Sequence, residues 1–239
     1  MKSPIGQKVL FKLRAHGLSN TLYQLFFRAL NSVLFFKVLT GIFVERPDPK
    51  FLNCPERLTA LLLSREMIYR FAQDPANEMP ESFVEEALTR GDECFAICDG
   101  NALAAYGWYA FGPTPIGWSD LFVSFSPACV YMYKGFTHER YRGQRLHAIG
   151  MTMALQHYLA QGFRTLVSYV ESTNFDSLKS CYRMGYGEFG WVYVMRLFGR
   201  YLTYSSPGCR RFAFGVDRIA GGDMARLSVA KHTNGVRGS

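Results

Sequence analysis

"THERYRGQRLHAIG", residues 137–150, poses an electrostatic problem. Arg142 and Arg145 stand either side of Gly143, and helical spacing begins at Leu146 with His147 beside it. A helix N-terminus already carries partial positive charge, so cations there are unfavourable unless an anion docks with them. A loop that leaves a strand and enters a helix offers several free backbone N–H groups, which suits a phosphate or pyrophosphate. Gly143 lets the backbone approach such a ligand closely. The stretch is neither a GxxxxGK[ST] P-loop nor a GxGxxG dinucleotide fingerprint. Taken alone, a strand–RG–helix junction is more often structural than ligand-binding.

The flanking chain alternates strands and helices. "CVYMYKGFT" (129–137) reads as a strand, and "LHAIGMTMALQHYLAQG" (146–162) as a helix closed by Gly162. "RTLVSYVE" (164–171) is the next strand, and "STN" opens a helix through "FDSLKSCYRMG" (175–185). Upstream, "RLTALLLS" reads as a strand, with helices at "REMIYRFAQD" and "PESFVEEALTRG". Two further strands meet at Asp99-Gly100, a strong hairpin signal. "WVYVMRLFG" (191–199) and "CRRFAFGV" (209–216) complete the strands, and the tail from Gly221 is expected to fray. The pattern is that of an α+β domain.

Two motifs in this order resemble those of the GNAT superfamily of acyl-CoA-dependent N-acyltransferases. The family's "V-x-P-x-x-R-G-x-G-L-G" is matched by the stretch from Thr137 to His147. Its "N-x-x-A/S-x-x-x-Y-x-x-x-G-F" is matched by Asn174, Ser177, Gly185 and Tyr186. The resemblance covers residues 57 to about 216. It implies a mixed, mostly antiparallel sheet flanked by helices, splayed between the strand ending at Thr137 and the strand ending at Glu171. Acetyl-CoA or a longer acyl-CoA would be the co-substrate, with no metal. The pantetheine would follow the strand edge at Phe136 and Thr137. Its pyrophosphate would meet the amides of Arg142, Gly143, Gln144, Arg145, Leu146 and His147. Asn174 and Ser177 would complete the cofactor site.

The implied reaction is direct attack of an amine on the thioester, with an oxyanion donor near Phe136, a base and an acid. Tyr182 is the candidate acid and Glu171 the candidate base. Cys181 is an alternative acid, and Glu139, His138 and Tyr133 are alternative bases. Three positions depart from the family pattern. Arg145 and His147 replace small residues, and Cys181 stands where the acid tyrosine is usual, one residue before Tyr182. An acyl carrier protein is an alternative donor, suited to the arginine-rich loop, as in long-chain N-acyl amino acid synthases. A non-catalytic binding protein is the third alternative. The acceptor is expected to be a small-molecule or peptide amine.

Residues 1–45 are set apart by charge. Six of the eight net positive charges come from Lys2, Lys8, Lys12, Arg14, Arg28 and Lys37, with no acid before Glu45. The remainder is nearly neutral, which argues against a nucleic-acid partner. Leu22, Leu25, Phe26, Ala29, Leu30 and Val33 follow helical spacing opposite Gln24, Arg28, Asn31 and Ser32. The run Leu22–Val44 therefore reads as a basic amphipathic helix, or two broken near Thr40-Gly41. Such a helix would pack on the body or in a homodimer, cover a greasy substrate, or lie on a membrane surface. The expected organisation is a helical extension over 1–45, the acyltransferase-like domain over 46–220 and a tail over 221–239. The six cysteines lack any CxxC and read as reduced thiols, consistent with a cytoplasmic chain, membrane-associated if the helix lies on lipid.

Overall fold

The computed structural model describes residues 4–218, with side chains from Gly17 onward; the expected tail lies outside the described residues. α1 (Pro4–Leu30) breaks at Gly17 and leads to β1 (Phe35–Val44). Then follow β2 (Thr59–Leu62), α2 (Arg65–Ala72), α3 (Glu81–Arg90), β3 (Glu93–Asp99) and β4 (Ala102–Ala110). β5 (Thr114–Pro115), β6 (Phe122–Ser124), β7 (Cys129–Thr137), α4 (Leu146–Ala160) and β8 (Thr165–Glu171) come next. α5 (Phe175–Arg183), β9 (Gly187–Leu197), β10 (Arg200–Ser205) and β11 (Gly215–Asp217) complete the order.

The local signals act as the sequence suggests. Ser64 caps α2 by accepting from Met67 N at 3.3 Å, and Asn174 caps α5 by accepting from Ser177 N at 3.2 Å. Gly91 and Gly162, with φ of 74° and 94°, end α3 and α4 in the left-handed conformation.

Two expectations are corrected. The helix expected over Leu22–Val44 stops at Leu30, and Phe35–Val44 is a strand. Asn31 makes the switch: its Nδ2 donates to Phe27 O and Phe36 O, and its Oδ1 accepts from Phe36 N at 2.9 Å. Beyond it the aromatic and β-branched run "FFKVLTGIFV" has Val38, Leu39, Thr40 and Ile42 all buried. A strand covered on both faces gives a continuous apolar run, which periodicity alone cannot tell from helix. On α1 the apolar stripe faces outward: Leu22, Leu25 and Phe26 are exposed, while Thr21 and Phe27 are buried. The strand expected at "CRRFAFGV" is a 3-10 turn over Pro207–Phe212 followed by the short β11.

The described residues gather into two compact units. One holds those up to Ile42 with Tyr169–Arg211, and the other Phe43–Ser168 with Phe212 onward. In the first, the strand order is β10-β9-β1-β8, so the N-terminal strand lies between β8 and β9. α1 meets this unit through Tyr23, whose hydroxyl is 2.9 Å from Ser172 Oγ, and through Phe27 stacked near Phe36. In the second, the order is β8-β7-β4-β3-β2, parallel between β7 and β8 and antiparallel elsewhere. α4 packs Leu146, Ile149, Ala154, Leu155 and Tyr158 into that unit's core, and α2 and α3 pack Ile68, Phe71 and Val84 around Trp108. Among the described residues no helix is long and apolar enough to cross a membrane.

Buried Thr165, at the start of β8, donates to Val44 O at 2.8 Å. Thr165→Val keeps the shape and leaves that carbonyl without its hydroxyl. Chemical denaturation should show a loss of about 1–3 kcal/mol; an unchanged midpoint would remove the bond from the forces holding β8.

Candidate active site

β7 carries the geometry that matters most. It pairs with β8 only at Cys129↔Thr165, Val130↔Leu166 and Tyr131↔Val167. Ser168 Oγ then donates to Met132 O at 2.7 Å, and the ladder ends. From Tyr133 to Thr137 the strand is paired on its β4 side alone among the described residues. On that side the register shifts between Trp108↔Lys134 and Tyr109↔Met132, so Tyr133 is an extra residue in a bulge. A bulge re-aims the backbone groups that follow it and recurs beside active sites.

The chain then turns through a 3-10 segment, Glu139–Tyr141, into α4. Gly143 at φ 81° and Arg145 at φ 61° both take left-handed conformations there. Arg145 occupies the cap position of α4 without a side-chain cap bond. The first α4 amide to find a carbonyl is that of Ile149, on Arg145 O at 3.1 Å. The N–H groups of Leu146, His147 and Ala148 make no hydrogen bond among the described residues. Three donors at the positive end of a fifteen-residue helix are thus left unbonded, near the exposed Arg142 and Arg145. Gln144 is held by Arg57, which donates to its Oε1 at 3.0 Å.

His147 departs from the small residue the motif leads one to expect, and the strand makes room for it. Gly135 lies directly beneath the imidazole, where any Cβ would collide with the ring. Burial lowers the His147 pKa, which favours the neutral ring next to the helix start. Phe136, half-buried, stacks 5.2 Å from Tyr106. Phe136, Thr137 and the loop residues to His147 therefore share one strand–loop–helix connection.

Glu171, Asn174, Ser177 and Tyr182 belong to the other unit. Asn174 Oδ1 and Ser177 N are joined in the α5 cap. Glu171, at the end of β8, is ion-paired with Lys37 of β1. Tyr182 is 44% exposed and donates its hydroxyl to Glu188, a partner no sequence pattern announced. Burial, then this hydrogen bond, hold its pKa above the ordinary phenol value. Burial pushes the Cys181 thiol up to about 11. Both side chains keep their protons at neutral pH. Tyr133 does so too: half-buried, it donates to Asp92 Oδ2 at 3.1 Å, and Arg90 holds that same oxygen at 2.8 Å. The Lys37–Glu171 pair was also missed, because Lys37 sat in a segment read as helix. Among the described residues no His, Cys, Asp and Glu cluster could hold a metal ion.

The family model described as "Acetyltransferase (GNAT) family" matches residues 60–186. The chain belongs to the GNAT acetyltransferase family, whose members transfer an acyl group from acyl-CoA to an amine. Several solved structures are similar to this chain at low identity. A GCN5-related N-acetyltransferase-like protein from Streptococcus suis is 14% identical, with 74% of this chain and 68% of that chain covered and a TM-score of 0.47. A tandem GNAT protein from the clavulanic acid biosynthesis pathway is 13% identical, over 74% and 57%, at 0.47. An aminoglycoside acetyltransferase from an uncultured soil metagenomic sample is 13% identical, over 54% and 87%, at 0.39. No curated protein matches the chain by sequence.

The lowered pKa of His147 has a sign that can be checked. Its unfolded value is near 6.5 and its folded value lies lower, so the unfolded state binds the extra proton more readily. The corresponding stability is present above the unfolded value and lost as pH falls below it. The unfolding midpoint of the native chain should therefore drop more between about pH 7 and about pH 5 than that of His147→Gln. Parallel pH curves would contradict this.

Proposed function

We propose that the chain is an N-acyltransferase that moves an acyl group from an acyl-CoA thioester to a primary amine by direct attack. The observation that carries this reading is the run of three free amides at the start of α4, directly after a strand whose edge is open from Tyr133 to Thr137. The pyrophosphate takes the amides of Gly143, Arg145, Leu146 and His147, with Arg142 and Arg145 supplying charge; the amide of Gln144 is engaged by Tyr141 O at 3.4 Å. The pantetheine adds to the β7 edge at Phe136 and Thr137, and a β7 amide near Phe136 donates to the developing oxyanion. The family resemblance assigns Asn174 and Ser177 to the cofactor as well. The amine nitrogen bonds the thioester carbon, and the carbon–sulfur bond breaks. Tyr182 gives its proton to the departing thiolate, and Glu171 accepts the proton shed by the amine.

A second reading keeps the fold and changes the donor to the phosphopantetheine arm of an acyl carrier protein. Arg140, Arg142 and Arg145 are all exposed around the loop, as docking of an acidic carrier requires.

Calorimetric titration with CoA, acetyl-CoA, palmitoyl-CoA and an acyl carrier protein tests both. Arg142→Ala with Arg145→Ala should weaken CoA binding by about tenfold or more. Binding of carrier without CoA would replace the first reading by the second, and binding of neither would sink both. Once an acceptor is found, Tyr182→Phe should lower kcat by about 100-fold with little change in KM. An unchanged kcat would remove Tyr182 as the acid and turn attention to Cys181.

A further inference from the structure

β9 and β10 pair Leu197 with Arg200 across a two-residue turn, Phe198-Gly199. Both turn residues have positive φ, 47° and 77°, as hairpins of type I′ require. Asn, Asp or Gly normally occupies the first of these positions, because a bulky side chain is strained there. Here it is Phe198, which is 95% exposed. Local backbone preference and burial both oppose this residue, and nothing in the fold rewards it.

The hairpin behind the tip is ordered by chemistry. Along one face the cross-strand pairs run from Leu197↔Arg200 to Met195↔Leu202 and then Tyr193↔Tyr204, with Trp191 beyond. Leu202 is half exposed, Tyr204 is 62% exposed, and the rings of Tyr193 and Tyr204 lie 6.1 Å apart. Leu197 and Phe198 thus stand at the tip with Arg200 paired beside Leu197, and amphipathic aromatics follow about 13 Å behind Leu197 at the usual rise of a strand. That is the order of a bilayer surface, with acyl chains inside and Tyr and Trp at the headgroups. Arg196 and Arg200 bracket the tip, and Arg196 lies 5.5 Å over the Tyr201 ring.

Charge selects the occupant. Among the residues described with side chains, the unit containing this hairpin has eight Lys and Arg against three acids, whereas the other has twelve against fifteen. A second copy docked through this face would bring like charges together, but an anionic surface would not. The exposed Leu18, Leu22, Leu25 and Phe26 of α1 belong to the same unit.

We propose that the β9–β10 hairpin is a membrane-docking element that inserts Leu197 and Phe198 into an anionic lipid surface, with Arg196 and Arg200 at the phosphates. This is independent of the acyl-transfer reading and is tested without any activity. The full chain is floated with vesicles of phosphatidylcholine alone and of phosphatidylcholine with about 30% phosphatidylserine. The chain should float with the anionic vesicles and be released by salt. Phe198→Asn should weaken vesicle binding by about tenfold or more. The same change should keep or raise the thermal midpoint, because Asn accepts the left-handed conformation. Arg196→Gln with Arg200→Gln should abolish the preference for phosphatidylserine. No flotation with anionic vesicles, or Phe198→Asn floating like the native chain, would overturn the proposal. So would a dimer that Phe198→Asn dissociates without any vesicle binding, which would make the occupant a second copy.

Discussion

The parallel ladder between β7 and β8 stops after Tyr131↔Val167, and the candidate chemistry depends on that stop. Had the ladder continued, the β7 amides and carbonyls from Tyr133 to Thr137 would be consumed by sheet hydrogen bonds. They would then be unavailable to an extended ligand. The bulge at Tyr133 turns those groups further from the regular ladder, and the half-buried Arg90–Asp92–Tyr133 network fixes the bulged side chain in place. Immediately after the open edge, α4 begins with three unused donors. Edge and helix start are consecutive in the chain, so one ligand with an amide-rich arm and a pyrophosphate can use both.

Sequence made this part of the fold legible because backbone demands are written in short motifs. Gly143 marks the close approach, Leu146 starts the helix, Asn174 caps α5, and Asp99-Gly100 folds the β3–β4 hairpin. Each signal acts over a few residues and is little affected by distant packing. His147 shows where such reading stops. It looked like an intrusion of bulk into a phosphate loop, yet Gly135, twelve positions earlier on β7, makes the space that accepts it.

The remaining misreadings share one cause, namely that burial is set by the partner and not by the segment. Leu22, Leu25 and Phe26 form the more apolar stripe of α1, yet Thr21 and Phe27 are the residues turned inward. β1 resembled more helix because both of its faces are covered. The β9–β10 hairpin went unnoticed because its turn carries Phe198 where Asn or Asp would have announced it. Lys37 lies far from any motif and Glu188 just past the end of one, and both partners, of the candidate base and acid, became visible only as contacts. The turns and caps of the motifs were therefore readable from residues alone, and the contacts made by Tyr182 and Glu171 were not.

The central claim is that an acyl-CoA seats its pyrophosphate on the first turn of α4. Amide hydrogen exchange, read residue by residue with and without acetyl-CoA, tests this most directly. The N–H groups of Leu146, His147 and Ala148 should gain protection on adding the ligand, together with those of β7 near Phe136. Protection confined to other segments, with the start of α4 exchanging as fast as in the free chain, would contradict it.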